Sequence, residues 1–452
     1  MHTENVKPAW VTPASTAAPV TPVAGDTSAP AAQPVAVTDA PFRRAGRVAL
    51  SAMLQASRRD TLATFAAYEA ALAGQNGVVP CHPELNPPLW ELGHVGWFQA
   101  HWLGRNPEWR LGARADPLAP RRAAARADAD ALYDSGEVPH ASRWRLPLPD
   151  ADTTRAELAW VLDESLALLA LPDLQHTQLE ASDTAARDTA LYFHRLCLAH
   201  EDMHHEAAVY MAQALGIALA DSRFQHRALP APGPALPLSA AAFELGSVAS
   251  DGFAFDNECG LQRHPLRSFS IDSQVLRWRD YLPFVEAGGY DDPRWWPGRA
   301  AAWRATPGHA APRYLQRDGG PQPQWQQWRH GRWQALLLDE PACHLTAYEA
   351  DAWCAWAGRR LPTEAEWQSA ATALRGPFVW GDVWEWTAST FGPYDGFTPH
   401  PYRDYSAPWF GSRRVLRGAS LATQRRMQDV RYRNFYTPER NDIFAGFRTC
   451  AA

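Results

Sequence analysis

The helical hydrophobic period that begins at about Phe42 stops near Arg227 and gives way to a different pattern. Between the two regimes lies Leu229-Pro-Ala-Pro-Gly-Pro-Ala-Leu-Pro237, where prolines remove backbone donors too often for a helix or a central strand to run through. A chain divided in this way folds as at least two units, and its 452 residues exceed what one ordinary core organises. Ahead of the break, apolar positions recur at helical spacing in four runs: Val48, Leu50, Met53, Leu54 and Leu62, then residues 89–103, 155–171 and 184–215. Residues 121–130 read as a connector or weak helix. Four amphipathic helices with long connections predict a four-helix bundle. Beyond the break come short strands, turns and scattered tryptophans, with two evident helices near 281–287 and 347–356, which predict an irregular α+β unit. The expected organisation is an Ala/Pro-rich disordered leader at 1–40, a bundle at 41–226, a Pro-rich linker at 227–240 and an α+β domain at 241–452.

Composition narrows the function classes. The net charge of −6, without a basic stripe, argues against nucleic acid as a partner. No apolar stretch is long enough to span a bilayer, and the first residues lack the charged start and apolar run of a signal peptide. The six cysteines form no CxxC pair, so free thiols in a reducing compartment are expected. The chain therefore reads as soluble and cytoplasmic. Its 21 tryptophans supply aromatic mass for a core and for a pocket that could hold a cation.

Chemistry concentrates at His200-Glu-Asp-Met-His204 in the fourth helical run. Residues i and i+4 share a helix face, so both imidazoles can reach one metal ion. Three arrangements fit this spacing. Glu201 could be the general base of a zinc protease, the two histidines could line a polar helix face without metal, or another bundle helix could complete the site. For the third, His94 on the second helix is the natural ligand, with Gly93 and Gly96 leaving room for close approach. His101, two turns on, would lie roughly 10 Å away along the axis, and His205 is turned about 100° from His204. His194 also falls off the ligand face. Three neutral histidines with open positions opposite suit Fe(II) and O2 chemistry, without excluding zinc.

Together, Trp90-Glu-Leu-Gly-His94 and His200-Glu-Asp-Met-His204 resemble the metal motifs of the DinB-like bundle in ergothioneine-type sulfoxide synthases. The second region resembles the formylglycine-generating-enzyme fold, a C-type-lectin-like domain. Its marks are Arg360-Leu-Pro-Thr-Glu-Ala-Glu-Trp367, Gly381-Asp-Val-Trp-Glu-Trp386, Val415-Leu-Arg-Gly-Ala-Ser420 and Phe444-Ala-Gly-Phe-Arg448. The paired copper-binding cysteines of true formylglycine-generating enzymes are not evident, so that activity is discounted.

The resemblance implies an enzyme that uses Fe(II) and O2 to join a sulfur donor to the imidazole C2 of hercynine, the trimethylated betaine of histidine. It implies His94, His200 and His204 as iron ligands, Asn434 at the substrate-amide position and Tyr394 beside the betaine. A trimethylammonium cannot donate hydrogen bonds and prefers aromatic faces, so Trp386 and Phe435 join Tyr394 as cage candidates. Three positions depart from the family pattern. Phe391 stands three residues before Tyr394, where the family has an active-site tyrosine. Tyr436 follows Asn434-Phe435 where enzymes using γ-glutamylcysteine carry an acid, and Met203 stands where glutamine is common. These departures are similar to the selenoneine-forming branch, which couples hercynine to a selenosugar and gives a selenoxide. Arg143 and Arg145 fall in a loop where relatives carry donor-binding arginines, although the favoured reading for either is an exposed, solvated arginine. The alternatives are a sulfoxide synthase using cysteine or γ-glutamylcysteine, and a metal-free betaine- or carbohydrate-binding protein.

Overall fold

The computed structural model describes residues 41–172, 189–248 and 251–452. The expected leader at 1–40 and the predicted start of the fourth helix at 184 lie outside the described residues. The first region contains α1 (Arg47–Leu72), α2 (Pro88–Trp102), the short α3 (Ala129–Tyr133), α4 (Ala151–Leu169) and α5 (Tyr192–Leu215). Local chemistry sets their ends. Pro88 opens α2, where its missing N–H would have had no helical partner. The Asp150 carboxylate accepts from the Thr153 N–H at 2.7 Å and caps α4. Gly216 ends α5 at φ +71°, a conformation that costs other residues energy. Helices α1, α2, α4 and α5 pack side by side, with α5 against both α1 and α2.

Buried polar pairs fix the helix register. Arg58 on α1 donates from Nε to Glu201 Oε1 at 2.8 Å and from Nη2 to Gln99 at 2.7 Å. Both ions are nearly inaccessible to water, and removing one partner of such a pair typically costs about 3–5 kcal/mol. Glu201 is thereby committed to structure, and the zinc-protease arrangement loses its general base.

The second region contains β1 (Leu236–Leu238), β2 (Ala241–Ser247), β3 (Gly260–Leu266), β4 (Phe269–Ile271), β5 (Leu315–Arg317), β6 (Trp325–Arg329), β7 (Arg332–Ala335), β8 (Arg359–Arg360), β9 (Trp384–Thr390), β10 (Arg414–Gly418), β11 (Asn434–Tyr436), β12 (Ala445–Gly446) and β13 (Cys450–Ala451). They form sheets ordered β1-β4-β13-β8 and β11-β10-β9-β12, a β2-β3 hairpin and a β5-β6-β7 meander. Strand β1 lies inside the stretch read as linker; its Pro237 is tolerated because β1 is an edge strand. Four helices appear where two were evident in the sequence: α6 (Trp278–Glu286), α7 (Arg299–Arg304), α8 (Ala347–Ala357) and α9 (Glu364–Ala373). A reciprocal cap between Thr363 and Glu366 starts α9.

Three of the four sequence motifs of this region converge on one buried network. Trp367 Nε1 donates to Glu385 Oε2 at 2.7 Å, and Arg448 donates to the same carboxylate at 2.5 and 2.8 Å. These motifs therefore build the fold rather than the site.

Side chains from the two regions share one apolar core, and ions stitch the seam. Asp202 on α5 accepts two bonds from Arg426 at 2.7 and 2.6 Å. Glu206, one turn on, accepts from Trp384, Ser420 and Thr423 at 2.6–2.8 Å. The helix carrying the two histidines is thus held against the second region along one face.

Candidate metal centre and the pocket beside it

Helix α2 presents Trp90, His94, Trp97 and Phe98 along one face. A Cβ at Gly93 would lie 2.3 Å from the Tyr133 ring, so only glycine lets α3 come this close. That approach brings the Tyr133 carbonyl to 2.8 Å from His94 Nδ1. Nδ1 carries the proton and donates, which leaves the Nε2 lone pair facing inward.

Helix α5 supplies the other two imidazoles. His204 Nδ1 donates to Glu91 Oε2 at 2.5 Å, and Asn86 holds the other oxygen of Glu91 at 2.5 Å. His200 stacks on Phe98 with centroids 3.5 Å apart and an interplanar angle of 4°. Neither of its ring nitrogens has a hydrogen-bond partner, although both are buried. An unsatisfied buried polar group costs about 1–3 kcal/mol, so this position calls for a ligand that accepts a nitrogen lone pair.

The coordinating atoms of His94, His200 and His204 lie within 4.8 Å of one another. Burial, followed by the charge of His204, holds His94 down to about 3; the same two causes in the same order bring His200 well below the usual range. Both rings are therefore neutral at physiological pH, as metal ligation requires. The donor set fits a divalent first-row metal, and a three-nitrogen face with open positions suits iron(II). His101, His194 and His205 stay outside this group. His205 is instead bound by Thr64 and Gln424 at 2.9 and 3.3 Å.

The aromatic pocket differs from the sequence reading. Phe391 is fully buried and stacked on Phe435 at 3.9 Å. Tyr394 is buried with Arg433 4.0 Å over its ring, and its hydroxyl donates to Glu364 at 3.2 Å. Trp386 is fully buried and donates to the Leu345 carbonyl at 2.8 Å. Tyr394 and Trp386 are thus packed in the core of this structure.

Two tyrosines that the sequence reading missed occupy the space beside the histidines. Tyr402 packs on Phe98 at 5.0 Å and on His200 at 6.2 Å between centroids. Tyr405 packs against Phe435 at 5.9 Å, and its hydroxyl lies 3.7 Å from Met203 Sδ. Burial raises both phenols above their ordinary range, so both keep their protons. The signal was present: Tyr402-Arg-Asp-Tyr405 repeats the three-residue spacing of Phe391 and Tyr394 further along the same loop.

The remaining candidates divide. Asn434 lies on β11 beside Phe435, and its Oδ1 accepts from the Phe435 N–H at 2.9 Å. Tyr436 is hydrogen-bonded to Tyr210 on α5 and lies under Arg440, 5.3 Å from its ring centroid. Arg143 is half-buried, with its guanidinium 3.9 Å over Trp90, and it donates to Asn86 at 2.9 Å. Trp90 in turn stacks on His94 at 4.8 Å, so Arg143 belongs to the wall of the centre and is not solvated surface. Arg145 is exposed.

Comparison with known proteins agrees with this architecture. Residues 53–208 match the DinB superfamily, and residues 236–380 and 378–452 match the Sulfatase-modifying factor enzyme 1-like domain. Hercynine oxygenase of Mycolicibacterium smegmatis is 32% identical over 427 residues, covering 81% of this chain and 91% of that protein. Hercynine oxygenase of Mycobacterium tuberculosis is 30% identical over 418 residues, with 81% and 91% coverage. Formylglycine-generating enzyme of Streptomyces coelicolor is 26% identical over 274 residues, covering 46% of this chain and 86% of that protein.

Proposed function

We propose, from the premise that this chain belongs to the hercynine oxygenase family, that it is an iron(II) enzyme that uses O2 to join a selenosugar to the imidazole C2 of hercynine. The balanced reaction takes hercynine, a selenol and O2 to the selenoxide and water: C2–H and Se–H are lost, C–Se forms, and one oxygen ends on selenium. The observation that carries the metal chemistry is the pair of buried, unpartnered nitrogens of His200 facing two histidines whose tautomers are already set. Iron(II), when bound there, supplies the redox chemistry that activates O2.

The residues around it bind and orient. His94, His200 and His204 would hold the metal, with the Tyr133 carbonyl and Glu91 fixing two of the rings. Phe435, Tyr405 and Tyr402 would give the trimethylammonium aromatic edges and faces. Asn434 would meet the betaine carboxylate. Tyr402, protonated and packed on His200, holds a proton at its phenol oxygen where oxygen chemistry would need one.

Support for selenium over sulfur rests on Tyr436. A neutral phenol paired with Tyr210 offers hydrogen bonds to sugar hydroxyls and no charge for the ammonium of γ-glutamylcysteine. A second reading, a sulfoxide synthase using cysteine or γ-glutamylcysteine, gains from Tyr402. A tyrosine ring packs beside His200, which weakens one reason for departing from sulfur chemistry. Iron stoichiometry and hercynine-dependent O2 uptake test the shared part. One iron per chain, lost in His200→Ala together with O2 uptake, is the expected result; a metal-free chain that binds hercynine without consuming O2 contradicts it.

A further inference from the structure

A second group of side chains able to hold a metal lies beside α5. His226, in the connector after the bundle, meets Cys343 and His344, which directly precede α8. Their coordinating atoms all lie within 4.8 Å of one another. Ligands around tetrahedral zinc stand about 3.3–3.5 Å apart, so small side-chain rotations close the set. Cys343 and His344 are 1% and 2% exposed. The Nδ1 atoms of both histidines are buried without a hydrogen-bond partner. His344 holds φ +62°, in the left-handed region that a non-glycine residue rarely occupies.

A core reading leaves two orphaned nitrogens and a thiol facing one another in a polar corner. The corner opens onto a small cleft of about 20 Å³, room for a water-sized ligand, lined by Val209, Gln213, His226, His330 and His344 among others. Val209 lies five residues beyond His204, so the cleft begins roughly 8 Å along α5 from the first site. Burial pushes the Cys343 thiol up, while the His344 N–H and the Arg329 guanidinium draw it down. Arg329 is itself neutralised by Glu340.

We propose that His226, Cys343 and His344 form a second transition-metal site that takes a zinc(II)-class ion, with the cleft side open for a fourth ligand. Two imidazoles and one thiolate are the donor set such ions prefer, and the set is chemically unlike the all-nitrogen triad. The ion would tie the connector to the segment before α8 against α5, bracing the helix that carries His200 and His204. The assignment does not depend on the reaction proposed above.

Cobalt(II) titration of the full-length, iron-loaded protein under argon reads the site directly. Only a thiolate ligand gives an intense sulfur-to-cobalt charge-transfer band, so the three-histidine site stays silent in that signal. One equivalent of cobalt with this band, displaced by zinc(II), is expected in the wild type. Cys343→Ser should lose both the band and that equivalent while keeping its iron. His226→Ala, at a half-exposed connector position, should weaken cobalt binding at least about tenfold, and it serves as the second variant if Cys343→Ser does not fold. No band in the wild type, or a band that persists in Cys343→Ser, overturns the proposal.

Discussion

His204 Nδ1 donates to Glu91 Oε2 across 2.5 Å, joining the second triad histidine of α5 to a carboxylate one turn ahead of His94 on α2. One side chain thereby sets the tautomer of one ligand and, through its place on α2, the spacing to another. Glu91→Ala should reduce iron(II) affinity about 10–100-fold with the fold retained. Competition against a chelator of known affinity measures this, and unchanged affinity would show that His204 is oriented by packing alone.

Tyr402 is the tyrosine whose ring packs on His200. If its hydroxyl holds a proton for the oxygen chemistry, Tyr402→Phe should lower kcat roughly 100-fold and leave the KM for hercynine nearly unchanged. A larger KM at constant kcat would place the residue in betaine binding instead.

Phe391 and Tyr436 now separate as tests of the chalcogen donor. A hydroxyl added at Phe391 enters a fully buried stack with Phe435, so Phe391→Tyr should lose about 1–3 kcal/mol of stability without changing donor choice. Tyr436→Asp should move the preference toward γ-glutamylcysteine by about tenfold or more, read from kcat/KM for the two donors. A donor switch in the Phe391 variant would contradict the placement of that ring.

How much of this was legible in the chain follows from periodicity. His200 and His204 could be paired because a helix turns the i and i+4 side chains onto one face, and His94 followed from bundle geometry. The glycine at position 93 was read as room for a neighbour, and the Tyr133 ring fills it. Tyr402 and Tyr405 sit in the loop between β9 and β10, where no period marks which side chain points inward. The spacing that fitted them also fitted Phe391 and Tyr394 earlier in the loop, and only the fold decides between the two pairs. Likewise Trp386 reads as a cage residue in sequence but donates its N–H to Leu345 in the core.

Stability should carry the signature of Glu349, the residue that caps α8 through the Thr346 N–H at 2.7 Å. Burial raises its carboxyl from 4.5 to about 7, against the opposing bonds from Thr346 and Tyr290. A raised folded-state pKa means the folded chain binds the proton more tightly. Its stabilisation is full below pH 4.5 and is lost as pH rises to about 7, at up to about 1.4 kcal/mol per pH unit. Melting temperature against pH should therefore be flatter for Glu349→Gln than for the wild type over that window. An equal slope would show that other groups set the dependence.

The central claim concerns which bond the protein makes. The protein, reconstituted anaerobically with Fe(II), is given O2 and hercynine with a selenosugar and γ-glutamylcysteine in equal amounts, and the products are identified by mass spectrometry. A hercynine–selenosugar adduct carrying one added oxygen as the dominant product is the predicted result. A hercynine–sulfur adduct as the dominant product would contradict the selenium assignment and leave Tyr436 without a role in choosing the donor.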